Sequence, residues 1–394
     1  KVRFSGRVTA GYVVERAAAS EHSGNIAFLH KVVSAEPVLT SEIAGLARTI
    51  ADRYGGTMAD VLRLAIPPRH AAAEARAPAR AAPSRAVPDD AARSFLADGG
   101  LWARYPAGKS FLTAIASGKA PHAVWSALPG QGWPAEIAQA AAAARSGGRG
   151  AVVVVPDARD LAAAEEAMAR TAGQAAFVSL AAQLGQAERY RRWLAVRRGE
   201  VKIVVGTRSA MFAPVADLGL VAIWDDGDDL HAEPRAPYPH ARDVLLIRAH
   251  RSAAAALIGG FARTAEAEQL LASGWAKPLV ADRQAVRRHA PLIRTAGDDA
   301  ELAETRRPAP RGCRASRCER PGTHWPPGLC SSRCPGEATS PRPRARGAAS
   351  EFAARSALAR WRSPAEISRC AAAGAASPPG SRAQRAAAQA CARW

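Results

Sequence analysis

Six short apolar runs recur between about residues 105 and 304: HAVWSAL, AVVVVP, QAAFVSL, VKIVVG, LVAIWDD and AAALIGG. Stretches with helical patterning separate them, among them WPAEIAQAAAAARS and GQAERYRRWLAVRRG. Strands that are apolar at successive positions are covered on both faces, and their alternation with helices makes the sheet parallel. The expected class is therefore α/β. In such a sheet the loops that follow the strands carry the ligand sites, so the residues just after each run are the candidates.

The rest of the chain divides by composition. Residues 1–70 read as a small α+β unit. VRFSGRVTAGYVVER predicts two short strands around a turn at Ser5-Gly6, and IAFLHKVV predicts another strand. TSEIAGLARTIADRY predicts an amphipathic helix with Ile43, Leu46, Ala47 and Ile50 on one face, capped by Thr40 or Ser41. MADVLRLAI predicts a second helix, stopped by Pro67-Pro68. Residues 71–104 begin with Ala, Pro and Arg and no sustained apolar face, which reads as a linker.

The 394 residues carry a formal charge of +19. A charge of that size points to a polyanionic partner. Its placement qualifies this: residues 305–394 hold 17 Arg, no Lys and 4 Glu, giving +13, so residues 1–304 carry +6. That last segment has all six cysteines, only two Leu, and no Val, Tyr, Met, Asp or Lys. Such a composition buries too little apolar surface to offset chain entropy. It reads as a disordered tail of the kind an out-of-frame translation of a GC-rich gene gives. The competing idea is a zinc module, for which Cys313-x4-Cys318 and Cys330-x3-Cys334 are loose spacings. The chain begins at Lys1 rather than Met, as a sequence lacking its start would. No apolar run is long enough to span a bilayer and no signal peptide is visible, so no membrane partner is expected and the expected location is the cytoplasm.

A phosphate cradle needs free backbone N–H groups, a Lys for the phosphates and a Ser/Thr for magnesium. ARYPAGKS ends in Gly-Lys-Ser but lacks the first Gly, and reads better as the start of a short helix. SALPGQGWPAEIAQA has the strand–loop–helix context, with Gly130 and Gly132 in the loop. It has neither Lys nor Ser/Thr after the glycines, and Pro129 and Pro134 have no N–H to donate. In WDDGDDLH, Asp225 and Asp226 are candidates for a magnesium site; the alternative is a solvated acidic turn after a buried strand. Arg208, in GTRSAMFAP, suits either a DNA phosphate or a pairing with those aspartates. The arginines of ERYRRWLAVRRG suit a nucleic-acid backbone or a solvated helix face.

The stretch from LGQAERYRRW to HARDVLLIRAH resembles the primosomal protein N′ family of replication-restart helicases. The family's GTRSALF-type motif corresponds to Gly206–Phe212, its strand to Leu218–Trp224, its Asp-Glu-Glu-His box to Asp225–Asp228, and its Tyr-x-His-Ala-Arg-Asp segment to Tyr238–Asp243. EPVLTSEIAGLARTIADRYGGTMADVLRLAIPPR resembles the family's N-terminal DNA-binding domain. The resemblance implies a 3′-end-binding domain over residues 1–70 and a helicase-like lobe over 105–304. It implies forked and single-stranded DNA, together with other primosome or replisome proteins, as partners, and a place on the nucleoid. Gly6 falls in the family's turn near the 3′-end pocket, flanked by Arg3 and Arg7. The family uses ATP with magnesium, and zinc. Here the P-loop position, Leu128–Pro134, lacks Lys and Ser/Thr, and the acidic box reads Asp225-Asp226-Gly227-Asp228. The segment that couples hydrolysis to movement reads Gly260-Phe261-Ala262-Arg263. The expectation is a DNA-binding restart protein with the remains of a motor and no confident cofactor. The alternatives are a 3′–5′ helicase with divergent motifs or a truncated inactive product.

Overall fold

The computed structural model describes residues 1–291, apart from residues 5, 21, 76–88 and 131. The 305–394 segment with its cysteines lies outside the described residues, so the zinc and tail readings do too.

The chain opens with an antiparallel hairpin, β1 (Val2–Phe4) and β2 (Arg7–Thr9), in the register Val2↔Thr9 and Phe4↔Arg7. This leaves a two-residue turn in which Gly6 has φ +77°, a conformation that glycine adopts without steric cost. IAFLHKVV is not a strand. Its contact with the chain start is confined to the Lys1 carbonyl and ammonium group, which bond to His30 and Lys31, and its apolar side chains face solvent, Phe28 being 98% exposed. Among the described residues no strand pairs with it, and strand propensity needs a partner.

Helix α1 (Ser41–Tyr54) follows, with Thr40 as the N-cap that accepts from the Ile43 N–H, and all four predicted apolar positions are buried. Helix α2 (Met58–Ala65) is capped by Thr57 and ends before the two prolines. The described parts of the expected linker are structured. Short α3 (Ala71–Glu74), α4 (Asp89–Asp98) and a 3-10 turn at Gly100–Arg104 fall within it. Trp102 in that turn is fully buried, against Tyr105, Phe111 and Trp125. A scarcity of large apolar residues suggests a linker; a single indole, the largest apolar side chain available, is enough to anchor the turn.

The lobe runs α5 (Gly108–Ala116), β3 (His122–Ser126), α6 (Trp133–Ser146), β4 (Gly150–Val154), α7 (Ala158–Ala172), β5 (Phe177–Leu180), α8 (Gln186–Arg197), β6 (Ile203–Gly206), β7 (Leu218–Trp224), α9 (Ala241–Ser252), β8 (Ala255–Gly260), α10 (Ala265–Ala272), β9 (Lys277–Leu279) and α11 (Arg283–His289). All six predicted strands form. With β9, a short Pro-containing edge strand that has no apolar run to announce it, they make a seven-stranded parallel sheet in the order β5-β6-β4-β7-β8-β3-β9. One face is covered by a core that includes α4, α5, α6 and α7. The other is covered by α8 and α9 together with α1 and α2. The boundary expected near residue 70 is thus not a boundary in the packing, because the first two helices share their core with the sheet.

Candidate nucleic-acid interface and the degenerate crevice

Three polar clusters fasten the N-terminal helices to the lobe. Arg248 of α9, fully buried, grips both oxygens of Glu42 at 3.0 and 3.3 Å and donates to the carbonyls of Met211 and Ala213. Arg198 forms a two-pronged pair with Glu36 at 2.8 and 2.7 Å. Asp243 accepts from the Tyr54 hydroxyl at 2.9 Å and from Arg53 at 3.4 Å. Burial, with the Asp243 carboxylate as the smaller cause, pushes the Tyr54 phenol up to about 12.

The loop after β3 holds the position of a phosphate cradle. Gly130 has φ +126° and Gly132 caps α6. The backbone donors at the start of the loop are already used: the Ala127 N–H bonds the Gly260 carbonyl and the Leu128 N–H bonds the Tyr105 hydroxyl. Trp133 opens the helix, its ring stacked on Trp224 at 4.3 Å and 7°. Glu136, 1% exposed in the first turn, accepts from Tyr105 at 3.2 Å, with the half-exposed Arg104 3.9 Å away. Lys109 and Ser110 of ARYPAGKS sit in the first turn of α5, which follows the 3-10 turn at Gly100–Arg104 and not a strand, as the helical reading expects.

At the end of β7 the aspartates part company. Asp225 adopts a left-handed backbone, φ +52°, with its N–H on the Gly259 carbonyl and its side chain toward solvent. Asp226 turns inward, which corrects the solvated-turn reading for this residue. Its Oδ2 takes Arg242 Nη1 at 2.8 Å and the Thr264 hydroxyl at 2.8 Å. Arg242 comes from the Tyr238–Asp243 segment at the start of α9, so that segment neutralises the acid from behind. His231, two residues beyond the acids, is fully buried and donates Nε2–H to the Trp224 carbonyl at 2.9 Å. A contiguous reading of the acidic box misses it. The spacing Asp-Asp-Leu-His is the signal that finds it. Burial holds its imidazole below the usual value. Arg263 bonds Ser126 and Glu268, pinning the segment after β8.

These residues do not fit a magnesium-bound nucleoside triphosphate. A triphosphate needs cations and free N–H donors on the β3 loop. It would meet an indole stack, the bonded amides of Ala127 and Leu128 and a buried carboxyl group. Arg208 does not pair with the aspartates: its Nε donates to Glu233 at 2.9 Å. In the arginine-rich helix, Arg191 and Arg192 pair with Glu188 within α8, a structural use that neither sequence reading gives them.

Burial raises the Glu136 carboxyl from the usual 4.5 to about 7, with Arg104 and Tyr105 pulling the other way. The neutral form is therefore favoured in the folded state. Its stabilising contribution is complete below about pH 4.5 and is lost as pH rises through 7. Glu136→Gln is expected to be more stable than the wild type above pH 7, by about 2–3 kcal/mol. The difference should vanish near pH 4. Urea midpoints across pH test this, and parallel profiles would contradict it.

Arg3 and Arg7 are exposed on the hairpin. Arg7 stands opposite residue 4, one position along from Arg3, so strand alternation sends the two guanidinium groups to opposite faces. Nothing lies within 4 Å of a side chain built at Gly6. Among the described residues no helix is long and apolar enough to cross a membrane.

Residues 1–67 match the family model described as "3'DNA-binding domain (3'BD)". The chain is 49% identical over 315 residues to "Probable replication restart protein PriA" of Mycobacterium leprae, covering 80% of this chain and 47% of that protein. It is 48% identical over 314 residues to the protein of the same name from Mycobacterium tuberculosis strain H37Rv, with 80% and 47% covered. "Replication restart protein PriA" of Bacillus subtilis is 34% identical over 83 residues, 21% of this chain and 10% of that protein. The chain thus spans about half the length of the mycobacterial relatives it matches. A 3′-DNA-binding-domain match over residues 1–67 and an identity that runs on through the parallel-sheet lobe make the chain similar, over about half their length, to replication restart proteins named PriA.

Proposed function

We propose that this chain binds DNA at abandoned or stalled forks and helps to reload the replisome, with its lobe acting as a scaffold rather than an ATP-driven motor. The observation that carries the first part is the exposed β1–β2 hairpin, its Gly6 turn and flanking Arg3 and Arg7, inside the segment that matches a 3′-DNA-binding domain. The second part is supported by the β3 loop, where Trp133 and Glu136 stand in place of cations. Forked and single-stranded DNA are the proposed ligands, primosome or replisome proteins the proposed partners, and the cytoplasm, on the nucleoid, the proposed location.

Fork DNA with a free nascent 3′-OH is expected to bind more tightly than the same fork blocked by a 3′-phosphate. Gly6→Val should erase that preference, since a β-branched residue is strained at positive φ, while the lobe keeps its urea midpoint. Arg3→Ala and Arg7→Ala should each flatten the dependence of affinity on salt, by about 0.9 in log–log slope for each duplex phosphate no longer neutralised. Equal binding of the two forks, or binding indifferent to salt, would refute DNA-end recognition. DNA-stimulated ATP hydrolysis that Asp225→Ala abolishes would instead establish a working motor.

A further inference from the structure

Beneath the β3 loop a carboxyl group is enclosed beside a cation that stops short of it. Glu136, in the first turn of α6, is 1% exposed. The charged and titratable groups that face it are Arg104 and Tyr105, where the 3-10 turn ends, and His289, where α11 ends. Arg104 Nη1 lies 3.9 Å away, beyond hydrogen-bonding distance, on a half-exposed side chain. His289 is exposed, with Nδ1 on the Ala285 carbonyl of its own helix. The Tyr105 hydroxyl donates to Glu136 Oε1 at 3.2 Å and accepts from the Leu128 N–H at 3.1 Å, so it joins the carboxyl to the start of the loop. Two further bonds strap the turn to α6: the Trp102 indole N–H to the Glu136 carbonyl and the Leu101 N–H to the Gln139 side chain. With the backbone held, the Arg104 side chain is the part that can move. The loop passes against both charged groups: a side chain built at Gly132 would come 3.4 Å from Arg104 Nη1 and 3.9 Å from Glu136 Oε2. A buried carboxylate needs a cation, whereas a buried carboxylic acid does not. Burial brings the change between the two forms to about pH 7, against smaller pulls from Arg104, Tyr105 and His289.

We propose that Glu136 and Arg104 form a proton-operated latch on the β3 loop: with the carboxyl neutral the guanidinium faces solvent, and when the carboxyl gives its proton to water the guanidinium swings in beside Gly132 and pairs with it. The movement needed is about 1 Å, from the observed separation to that of a charge-assisted hydrogen bond. Tyr105 holds both the carboxyl and the Leu128 amide, so the pairing binds turn, helix and loop into one unit. Closing the latch also withdraws the Arg104 charge from the surface of the crevice. The device lies within the lobe and goes beyond DNA recognition; it stands whether or not the hairpin reads a 3′ end.

The test follows tryptophan fluorescence of the full chain across neutral pH, with Trp102 and Trp133 reporting on the turn and the loop. His122, stacked on Trp275, also titrates in such a scan, so the signal read is the wild type minus Glu136→Gln. That difference is expected to show one transition centred near pH 7. Arg104→Met should move the midpoint up by about one pH unit, the low end of what a nearby opposite charge does, because the side chain is half exposed. Arg104→Lys, which keeps the charge, should hold the midpoint near the wild-type value, and His289→Gln should move it less than Arg104→Met does. The urea midpoint of Arg104→Met should match the wild type at about pH 5, where the carboxyl is neutral, and fall below it at about pH 9, where the ionised carboxyl has lost its cation. An arginine with a merely structural role would lower it equally at both. No difference between wild type and Glu136→Gln, a fluorescence midpoint that Arg104→Met leaves in place, or an equal loss of stability at both pH values would overturn the latch.

Discussion

Replacing Arg248 by methionine is expected to lower the unfolding free energy by about 3–5 kcal/mol, the range for breaking a buried ion pair from one side. Methionine keeps most of the side-chain volume, so the loss is chiefly polar. The Met211 and Ala213 carbonyls, both on buried residues, lose their donors. Each such orphan costs about 1–3 kcal/mol. Glu42 loses its partner too, but its side chain is 33% exposed and water can replace part of the bond. The asymmetry is the test: Glu42→Gln should cost only about 1 kcal/mol, because the amide oxygen still accepts. Urea unfolding of the full chain measures both. A loss below about 1 kcal/mol for Arg248→Met would mean that α1 is not fastened through this residue. The expected consequence for function is that the DNA-binding module loosens from the lobe, so that its protection from proteolysis falls more than that of the sheet.

Truncating Trp102 to alanine should cost about 3–5 kcal/mol, as large aromatic truncations in cores do. The indole touches Tyr105, Phe111 and Trp125 with ring centroids 5.0–5.6 Å apart, and its N–H donates to the Glu136 carbonyl at 2.8 Å. Tyr105 in turn holds Leu128 and Glu136, so the cavity should disorder the β3 loop as well. Trp102→Phe retains the ring contacts and loses the hydrogen bond, and should cost about 1–2 kcal/mol. If Trp102→Ala leaves the urea midpoint within experimental error, residues 100–104 behave as the linker that their composition suggests.

Much of the fold is legible because it is written in local patterns. A run such as AVVVV at residues 151–155, apolar at every position, has one stable solution, a strand covered on both faces. Six of the seven sheet strands announce themselves this way. The Thr40 cap and the apolar face of α1 follow from spacing within one helix. IAFLHKVV fails for the opposite reason: its residues favour a strand, but the described chain supplies no edge for it. β9 escapes notice because three residues at a sheet edge have no periodicity to detect.

The degenerate crevice divides along the same line. The amino-acid sequence by itself determined what the β3 loop lacks, since missing Lys and Ser/Thr residues and N–H groups absent from proline need no coordinates to establish. It also pointed to the hairpin turn, because a glycine between two short stretches of strand-forming residues favours one. Only the tertiary structure decided what packs around that loop and where the charges go. Trp133 stacks on Trp224 across 91 residues of sequence, Asp226 pairs with Arg242 from the next helix, and Arg208 goes to Glu233 rather than to the aspartates. Pairings of this kind depend on which strand ends the sheet order brings together and on how much water each site excludes. Neither quantity is a property of a local stretch of chain.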